Sequence, residues 1–489
     1  MNQQPLANLP TPRKVASYRF LGQTQSLCAT CLAPVPAKII EQDGAVFYQK
    51  RCPVHGVEKV LISTDPAYYR QVQDWIKPGD KPLQFQTRIH DGCPYDCGLC
   101  PDHEQHSCLA IIEVNETCNL TCPICFAGSS PDRPGTRSLA QIETMLDALV
   151  ASEGEPDLVQ ISGGEPTLHP QILEILQAAK ARPIRHLMLN TNGLRIARDP
   201  AFVAELAKLK PGFEVYLQFD SLDPEVLKSL RGADLTRIRQ QALQNLEAAG
   251  ISTTLVAVIA KGRNDHEVGT IIDHALTWSC VRGVTFQPIQ DAGRTDGFDP
   301  SRDRTVLSDI RTRIAEHGAK GGPFRAPDLI PLPCNPESIC VAYGLRQGTT
   351  VQPITGMLPR DLLVAEAPNS VTFEKYPDLR RRLFDFFSLT TVEGVTASRL
   401  ESLFCCFPNL ETPGPVGYGD LFRVAISEFL DPHNFCMARV KRSCVHFVDP
   451  DGKIYPFDTY NLFYRDEAAR ARLAGSRAAR IRNVMGAKP

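Results

Sequence analysis

The strongest constraint on the fold is a regular alternation of short apolar runs and helix-forming segments between residues 109 and 288. The apolar runs have the length and composition of buried strands. They are LAIIEV (109–114), DLVQIS (157–162), HLMLNT (186–191), EVYLQFD (214–220), STTLVAVIA (252–260) and GVTFQP (283–288). Helical spacing follows Ser138, where Ser138 and Gln141 fit a capping box, and recurs near 169–181, 200–209, 235–249 and 265–277. Six strand–helix units predict an α/β fold, a partial (β/α)6 TIM-like barrel with function at the C-terminal ends of its strands.

Two regions of different character flank the barrel. Residues 1–108 combine short elements and turn residues with a high cysteine content, which predicts a small Cys-rich metal-binding N-terminal domain. Residues 109–322 form the predicted barrel, and residues 323–489 form a predicted α+β C-terminal domain that begins with a Pro-rich segment. In this last region we expect helices at 377–388 and 397–406 and a hairpin at 444–457 that turns at Asp449-Pro450-Asp451-Gly452.

Cysteine usage indicates metal binding. The chain has 489 residues and 17 cysteines. Its first residues, MNQQPLANLPTPRKV, lack the apolar run of a secretory signal, and no stretch approaches the ~20 apolar residues of a spanning helix. We therefore expect a cytoplasmic protein, in which thiols stay reduced and clustered cysteines serve as metal ligands rather than disulfides.

Bulk charge gives no support for a nucleic-acid partner, because the formal net charge is only −2. The arginine-rich segment 465–488 could form an amphipathic helix that makes peripheral contact with an anionic membrane. Its apolar side is mostly alanine, so a solvated surface helix is favoured.

The cysteines after the first predicted strand carry the catalytic hypothesis. Cys118, Cys122 and Cys125 form a compact C-x3-C-x2-C loop. A structural [4Fe–4S] cluster normally takes four cysteines, so three would leave one iron open for an exogenous ligand. The alternative is a structural zinc or a four-cysteine cluster whose last ligand lies elsewhere.

A second C-x3-C-x2-C loop lies just upstream. Cys93, Cys97 and Cys100, with Cys108 as a possible fourth ligand, are interpreted as an auxiliary [4Fe–4S] cluster. A zinc site is the alternative, and Cys108 could instead be a buried packing residue.

Two further groups complete the set of candidate ligands. Cys28, Cys31 and Cys52 have the spacing of a rubredoxin-like or zinc-ribbon site for one iron or zinc ion, with His55 or Cys93 as the fourth ligand. In the C-terminal region another auxiliary cluster could form from Cys334, Cys340, Cys436 and Cys444. The adjacent pair Cys405-Cys406 and the isolated Cys280 are interpreted as core residues.

Polar motifs at the ends of the next strands strengthen the catalytic hypothesis. Gly163-Gly164-Glu165 follows the second strand, Asn190 and Asn192 follow the third, and Gln218 and Asp220 end the fourth. Together with the Cys118 loop, these segments resemble the radical S-adenosylmethionine (SAM) superfamily. The resemblance implies that Cys118, Cys122 and Cys125 hold a SAM-coordinating [4Fe–4S] cluster and that the strand-end residues bind SAM. It also implies reductive cleavage of SAM to a 5′-deoxyadenosyl radical, with flavodoxin or ferredoxin as a suitable electron donor.

A longer segment makes the resemblance more specific within this superfamily. Gly92-Cys-Pro-Tyr-Asp-Cys-Gly-Leu-Cys-Pro-Asp-His103, leading into the Cys118 loop, is similar to the tetraether lipid synthase and 7,8-dihydro-6-hydroxymethylpterin methyltransferase group. This similarity implies a rubredoxin-like iron site and auxiliary clusters besides the SAM cluster.

The substrate stays open between three hypotheses. The favoured one is C–C bond formation or alkylation on an unactivated carbon of a lipid chain, in a tunnel lined by Phe384, Phe386, Phe387, Leu403, Phe404 and Phe407 unless these are ordinary core residues. The second is methyl transfer to a pterin-type heterocycle, which requires a polar, partly aromatic pocket. The third is a non-catalytic iron–sulfur or zinc-binding module, which would not cleave SAM.

Overall fold

The structure, a computed structural model, describes residues 15–357, 360–364 and 421–485. Its N-terminal part is an antiparallel sheet whose strands follow in chain order: β1 (Arg19–Leu27), β2 (Pro34–Gln42), β3 (Ala45–Cys52) and β4 (Gly56–Ser63). The β1–β2 and β3–β4 connections lie at the same end of this sheet. That arrangement brings Cys28 and Cys52 into one buried cluster.

The remaining strands build the barrel sheet and its edges. In chain order they are β5 (Leu109–Glu113), β6 (Ile124–Cys125), β7 (Leu158–Ser162), β8 (His186–Thr191), β9 (Phe213–Gln218), β10 (Thr253–Ile259), β11 (Val281–Pro288), β12 (Arg294–Thr295), β13 (Ile330–Pro331), β14 (Ile339–Gln347), β15 (Thr350–Pro353), β16 (Leu421–Ser427), β17 (Val445–Val448) and β18 (Ile454–Pro456). Short β6 and β12 pair with each other, beside the barrel sheet.

The barrel sheet is parallel over most of its width. Within the described residues, eight parallel strands lie in the order β17-β5-β7-β8-β9-β10-β11-β16, and antiparallel β18 and β14 continue its two edges. The six predicted strands correspond to β5 and β7–β11, so the predicted partial barrel is confirmed. Strands β16 and β17 come from the predicted C-terminal domain, so the boundary drawn at residue 323 runs through one continuous sheet.

The described residues also form thirteen helices, several of which make an outer layer on the barrel sheet. They are α1 (Pro66–Val72), α2 (Leu139–Glu153), α3 (Ile172–Lys180), α4 (Leu194–Arg198), α5 (Pro200–Ala207), α6 (Pro224–Arg231), α7 (Thr236–Ala248), α8 (Val268–Leu276), α9 (Leu307–Ala319), α10 (Arg360–Val364), α11 (Met437–Lys441), α12 (Phe457–Thr459) and α13 (Glu467–Met485). Single 3-10 turns occupy Gln73–Trp75, Pro166–Leu168, Asp265–Glu267, Ala326–Asp328 and Thr355–Met357, and a π-helical turn spans Tyr460–Tyr464.

Helix α2 shows how local sequence sets this layer. The Ser138 side chain accepts a hydrogen bond from the Gln141 backbone, and the Gln141 side chain accepts one from Ser138 N, so the predicted capping box is confirmed. Its apolar stripe, which includes Ile142, Met145 and Leu149, is fully buried against the sheet. Burial of this stripe supplies the free energy that holds the helix in place.

The C-terminal helix α13 packs on the protein instead of standing free. Arg477 Nη2 lies 2.6 Å from Asp91 Oδ2, and Arg480 donates to the Asp91 carbonyl at 3.0 Å. Buried Ser476 donates to the Leu32 carbonyl at 2.6 Å. The arginines of the predicted basic tail therefore hold the loop before Cys93.

Among the described residues, no helix combines the length and apolar character needed to cross a membrane.

Candidate active site

A cavity of about 170 Å³ opens at the C-terminal ends of the parallel strands. Cysteine, glycine and amide residues line it together with apolar side chains. The predicted site residues that line it are Cys118, Cys122, Cys125, Gly163, Gly164, Glu165, Asn190, Asn192 and Gln218. The barrel topology thus gathers segments that are up to 100 residues apart in the chain, since parallel strands end at one rim.

The cysteine loop begins where β5 ends. Cys118 and Cys122 are buried and Cys125 is half-buried. Cys125 lies on β6, which pairs with β12, and Arg294 of β12 donates to the Cys122 carbonyl at 2.6 Å. Burial raises the pKa of Cys118 to about 12, because an isolated thiolate there lacks solvent.

The glycines of the Gly163-Gly164-Glu165 motif pack directly against the backbone that leads into this loop. A Cβ on Gly164 would lie 2.4 Å from the Thr117 carbonyl oxygen, and one on Gly163 would lie 2.6 Å from the Asn115 carbonyl oxygen. Glu165 N also donates to the Thr117 carbonyl at 2.9 Å. The two glycines therefore let the end of β7 touch the backbone that leads into Cys118.

The Glu165 carboxylate is buried in a network of donors. Its Oε1 accepts from Thr167 Oγ1 at 2.6 Å and from Thr191 Oγ1 at 2.7 Å, and its Oε2 accepts from Asn192 N at 2.7 Å. Burial raises the pKa of Glu165, although these donors oppose the shift. Glu165 thus ties β7 to the end of β8 at the cavity wall.

The two asparagines at the C-terminal end of β8 are also held by neighbours. Asn192 Nδ2 donates to Asn119 Oδ1, inside the cysteine loop, at 2.7 Å. Asn190 Nδ2 donates to Ser162 Oγ at 3.1 Å. Both residues still line the cavity.

Asp220 is placed differently from the prediction. It is fully buried and accepts from Arg231 Nε at 2.7 Å, and it lies outside the cavity lining. Arg231 does line the cavity, donates to the Ile124 carbonyl at 3.1 Å, and lies beside Gln218, whose amide oxygen can accept from Nη1 at 2.8 Å. Assigning Asp220 as a cofactor contact is therefore wrong: it pairs with the buried cation that reaches the site.

Arg231 was not predicted as a site residue, because it ends α6, far from any strand motif. An arc of polar side chains on the barrel interior was not predicted either: Gln160, Tyr216, Gln287, Gln290 and Ser427. A signal was available, because polar residues inside otherwise apolar strands recur at period two, as in Tyr216 and Gln218.

The N-terminal sheet holds a compact set of four potential ligands. Atoms of Cys28, Cys31, Cys52 and His55 all lie within 4.8 Å of one another. His55 Nδ1 is 3.4 Å from Cys28 Sγ and 3.5 Å from Cys52 Sγ. Of the two fourth ligands left open by the sequence, the geometry selects His55.

The upstream C-x3-C-x2-C loop forms its own site. Cys93, Cys97 and Cys100 line one small pocket near Lys441. Cys97 Sγ lies 2.9 Å from Thr459 Oγ1, and burial raises its pKa to about 12.

Cys108 lies with a different set of cysteines from the predicted one. Strands β5 and β17 pair in register from Leu109 and Val445, which places Cys108 beside Cys444. Their thiols and that of Cys334 all lie within 4.8 Å of one another. Grouping Cys108 with the loop of Cys93 is therefore wrong, because sheet register outweighs closeness in sequence.

Two other predicted ligands lie outside that set. Cys340 is on β14 in the main core beside Tyr68, and Cys436 Sγ lies 3.2 Å from Thr24 Oγ1. The predicted cluster containing Cys340 and Cys436 is therefore wrong. Cys280 is buried in the core, as expected. Cys405-Cys406 and the proposed tunnel at 384–407 lie outside the described residues.

The donor set of the cavity fits an iron–sulfur cluster better than one ion. Among the described residues, the sets with ligand atoms close enough to share one ion are those of Cys28 and Cys108, and the Cys118 loop belongs to neither. A four-iron cluster spaces its thiolates more widely than one ion does. Three thiols lining the cavity leave room for a ligand at the remaining iron.

Comparisons with known proteins agree with this geometry. Residues 112–275 match the family described as the radical SAM superfamily, and residues 20–64 match the HMPTM N-terminal zinc ribbon domain. The chain is 29% identical to the 7,8-dihydro-6-hydroxymethylpterin dimethyltransferase of Methanocaldococcus jannaschii, over 91% of this chain and 94% of that protein. It is 30% identical to the GTP 3′,8-cyclase of Chlorobaculum tepidum, over 47% of this chain and 72% of that protein.

Among solved structures, Streptococcus suis SuiB bound to SAM is 18% identical, with a TM-score of 0.38 over 45% of this chain and 50% of that one. The match thus spans about half the length of that chain. With the family match over the barrel and a relative aligned nearly end to end, the chain belongs to the radical SAM superfamily of enzymes, whose cofactors are a [4Fe–4S] cluster and SAM.

Proposed function

We propose that this enzyme alkylates a pterin-type heterocycle, with methyl transfer as the reaction. The observation that carries the proposal is the polar arc inside the cavity. Gln160, Gln218 and Gln287 come from three different strands and face the same space as Tyr216. Their amides and hydroxyl offer donors and acceptors along one cavity wall, which suits the nitrogen- and oxygen-bearing edge of a pterin.

The same cavity argues against a lipid chain. An alkyl chain would offer no partner to the Gln160 and Gln290 amides, and the Gln290 amide oxygen is buried with no partner among the described residues, which costs roughly 1–3 kcal/mol. A flat heterocycle can satisfy them, and Phe126, Phe429 and Phe457 offer aromatic surface in the same lining. Burial raises the pKa of Tyr216 to about 12, so its hydroxyl stays protonated and can donate.

The relative from M. jannaschii supports the same substrate class, because its name specifies a dihydro-hydroxymethylpterin and two methyl transfers. We transfer only the class of substrate, since identity is 29%.

We further propose that Cys118, Cys122 and Cys125 would hold the catalytic cluster, while Gly163, Gly164, Asn190 and Asn192 would contact SAM. When bound and reduced, the cluster supplies the electron that cleaves SAM to methionine and a 5′-deoxyadenosyl radical. Glu165 fixes the ends of β7 and β8, and Arg231, neutralised by Asp220, fixes the cavity wall at the Ile124 carbonyl. A low-potential protein such as flavodoxin or ferredoxin would deliver the electron.

The test measures 5′-deoxyadenosine by mass spectrometry after anaerobic reconstitution and dithionite reduction. We expect a dihydro-hydroxymethylpterin to increase its formation and to gain methyl mass, whereas a dialkyl glycerol lipid should do neither. Because the cleaved SAM leaves as methionine and 5′-deoxyadenosine, the methyl group would come from a second SAM, released as S-adenosylhomocysteine, with dithionite supplying one electron for each of the two steps. Cys122→Ala should abolish cleavage and leave metal bound at the other cysteine sets. Stimulation by the lipid alone would overturn the substrate proposal, and cleavage by Cys122→Ala would overturn the cluster assignment.

Variants of the polar arc separate substrate binding from SAM binding. Gln287→Leu should weaken pterin-stimulated turnover about 10-fold or more, because one hydrogen bond and its desolvation are lost, while the Kd for SAM stays unchanged. Gln241→Leu makes the same chemical change on the exposed face of α7 and serves as the matched control. Equal activity of the two variants would contradict the role of the arc.

A further inference from the structure

We propose that a second cavity, beside the catalytic one, binds the oxyanion group of a ligand, either a phosphate or a carboxylate. The proposal does not depend on the identity of the substrate. It rests on Arg294 and Arg472, which line this cavity and form no ion pair with a carboxylate among the described residues.

The second cavity has a volume of about 430 Å³ and is enclosed by parts of the chain that are distant in sequence. Its walls come from three segments, which are the turn at residues 29–32, the loop at 291–294 and the chain around 461–472. It shares Phe126 and Ala292 with the lining of the catalytic cavity. A ligand in the second cavity would therefore lie beside the loop that carries the catalytic cysteines.

Most of the charged groups around the second cavity neutralise one another. They form three ion pairs: Arg465 with Glu113, Arg133 with Asp466, and His433 with Asp291. Burial opposes the charge on His433, but Asp291 and Glu58 raise its pKa to about 9, so the imidazole is protonated at neutral pH. The two carboxylates in the lining, those of Asp291 and Asp466, are thus already balanced by cations.

The two remaining arginines are held by backbone carbonyls. Arg294 donates through Nε to the Cys122 carbonyl at 2.6 Å and through Nη2 to the Ser129 carbonyl at 2.8 Å. Arg472 donates through Nε to the Leu462 carbonyl at 3.0 Å. A carbonyl orients a guanidinium group but does not neutralise its charge, so two uncompensated cations line one concave space.

The chemistry of these groups selects an oxyanion. A guanidinium group presents its N–H donors in a planar fork that matches the oxygens of a phosphate or a carboxylate. The contacts of Arg294 use Nε and Nη2, which leaves Nη1 without a hydrogen-bond partner in the described part of the chain. The Thr30 hydroxyl lies in the same lining as a neutral donor, on the turn between Cys28 and Cys31. A metal ion held by those cysteines would therefore fix one wall of the anion site.

The experiment titrates inorganic phosphate, and separately glutarate, into the full reconstituted chain by calorimetry at low salt. We expect at least one of the two anions to bind, and the tighter one identifies the oxyanion as a phosphate or a carboxylate. Arg472→Gln should weaken that binding about 10-fold, because a charge-assisted contact is lost. Arg472→Lys should restore part of the affinity, since it keeps the charge without the planar fork.

Arg470→Gln is the matched control. Arg470 is exposed on the same helix α13, lies 3.9 Å from Asp449 and does not line the second cavity, so this variant should keep the wild-type Kd. Arg472 is also exposed, and its replacement should leave the fold intact. The proposal is overturned if the wild type binds neither anion, or if Arg472→Gln and Arg470→Gln bind the anion equally well.

Discussion

Single glycines decide whether the catalytic loop can form. Gly164 leaves only enough space for its own hydrogen beneath the carbonyls of Glu116 and Thr117, which would lie 2.6 and 2.4 Å from an added Cβ. Those carbonyls belong to rigid backbone, so the loop rather than a flexible side chain would have to move.

We therefore expect Gly164→Ala to displace the loop at a cost of roughly 1–3 kcal/mol and to lower iron at the Cys118 site. Iron and sulfide content, with the cluster EPR signal after reduction, measures the effect. Gly475→Ala is the control, because a Cβ there meets no atom within 4 Å. Full iron content with normal SAM cleavage in Gly164→Ala would contradict the steric argument.

The residue scale also shows what sequence can and cannot assign. Gln218 is the last residue of β9 and Asp220 lies two residues beyond it, and only Gln218 reaches the cavity. The other faces Arg231, a residue in the next helix that has no motif of its own. Motif spacing predicts which residues lie at the rim of the barrel. Whether such a residue contacts the ligand or forms a buried ion pair depends on the direction of its side chain, which three-dimensional packing determines.

At the scale of elements, a buried charged layer formed by Glu214, His186 and Arg423 links the strands below the cavity. Glu214 of β9 lies 3.1 Å from His186 of β8 and 2.9 Å from Arg423 of β16, and it also accepts from Thr254 of β10. One carboxylate thus connects four strands, including one from the C-terminal region.

We expect Glu214→Gln to lower the free energy of unfolding by about 3 kcal/mol, because Arg423 and His186 lose their buried partner. Burial would raise the pKa of Glu214, but Arg423 and His186 outweigh it and hold the pKa well below 4.5. A lowered pKa stabilises the fold above pH 4.5, and this contribution is lost as the pH falls further. Denaturant unfolding of both proteins between pH 7 and 3 should show their difference shrinking.

Glu205→Gln removes a partner of an exposed ion pair with Lys208 and should cost less than about 1 kcal/mol. Equal losses in Glu205→Gln and Glu214→Gln would show that the charged layer adds no special stability.

Element prediction succeeded where the pattern is local. Strands β5 and β7–β11 each carry a continuous apolar run, and the hairpin of β17 and β18 has a clear turn signal, so both were identified from sequence. The pairing of β16 with β11 and of β17 with β5 was not predicted, because pairing across more than 130 residues leaves no signal in either segment. The ligand set of Cys108 depends on that same pairing.

At the scale of the whole molecule, the zinc-ribbon sheet is docked on the barrel through polar contacts around His433. Its Nδ1 lies 2.8 Å from Glu58 Oε1 of β4, and its Nε2 lies 3.4 Å from Asp291 Oδ2 beside the catalytic cavity. Lys50 adds a buried ion pair with Glu58 at 2.9 Å and donates to the His433 carbonyl at 2.8 Å. These contacts join the sheet that carries the Cys28 site to the segment beside the catalytic cavity.

This interface should make docking depend on pH. Burial alone would lower the pKa of His433, but Asp291 and Glu58 raise it to about 9 from an ordinary 6.5. Since the folded pKa is raised, the stabilisation is complete below pH 6.5 and is lost as the pH rises to about 9. We expect the free energy of unfolding to fall by roughly 2–3 kcal/mol between those limits, measured by denaturant unfolding.

His433→Gln should be less stable than the wild type at pH 6, and its free energy of unfolding should not change across this range. His90→Gln, at a side chain that is 90% exposed, should follow the wild type. A wild-type curve that does not fall by pH 9.5 would mean that the interface holds without the imidazolium, and that Lys50 with Glu58 carries the docking.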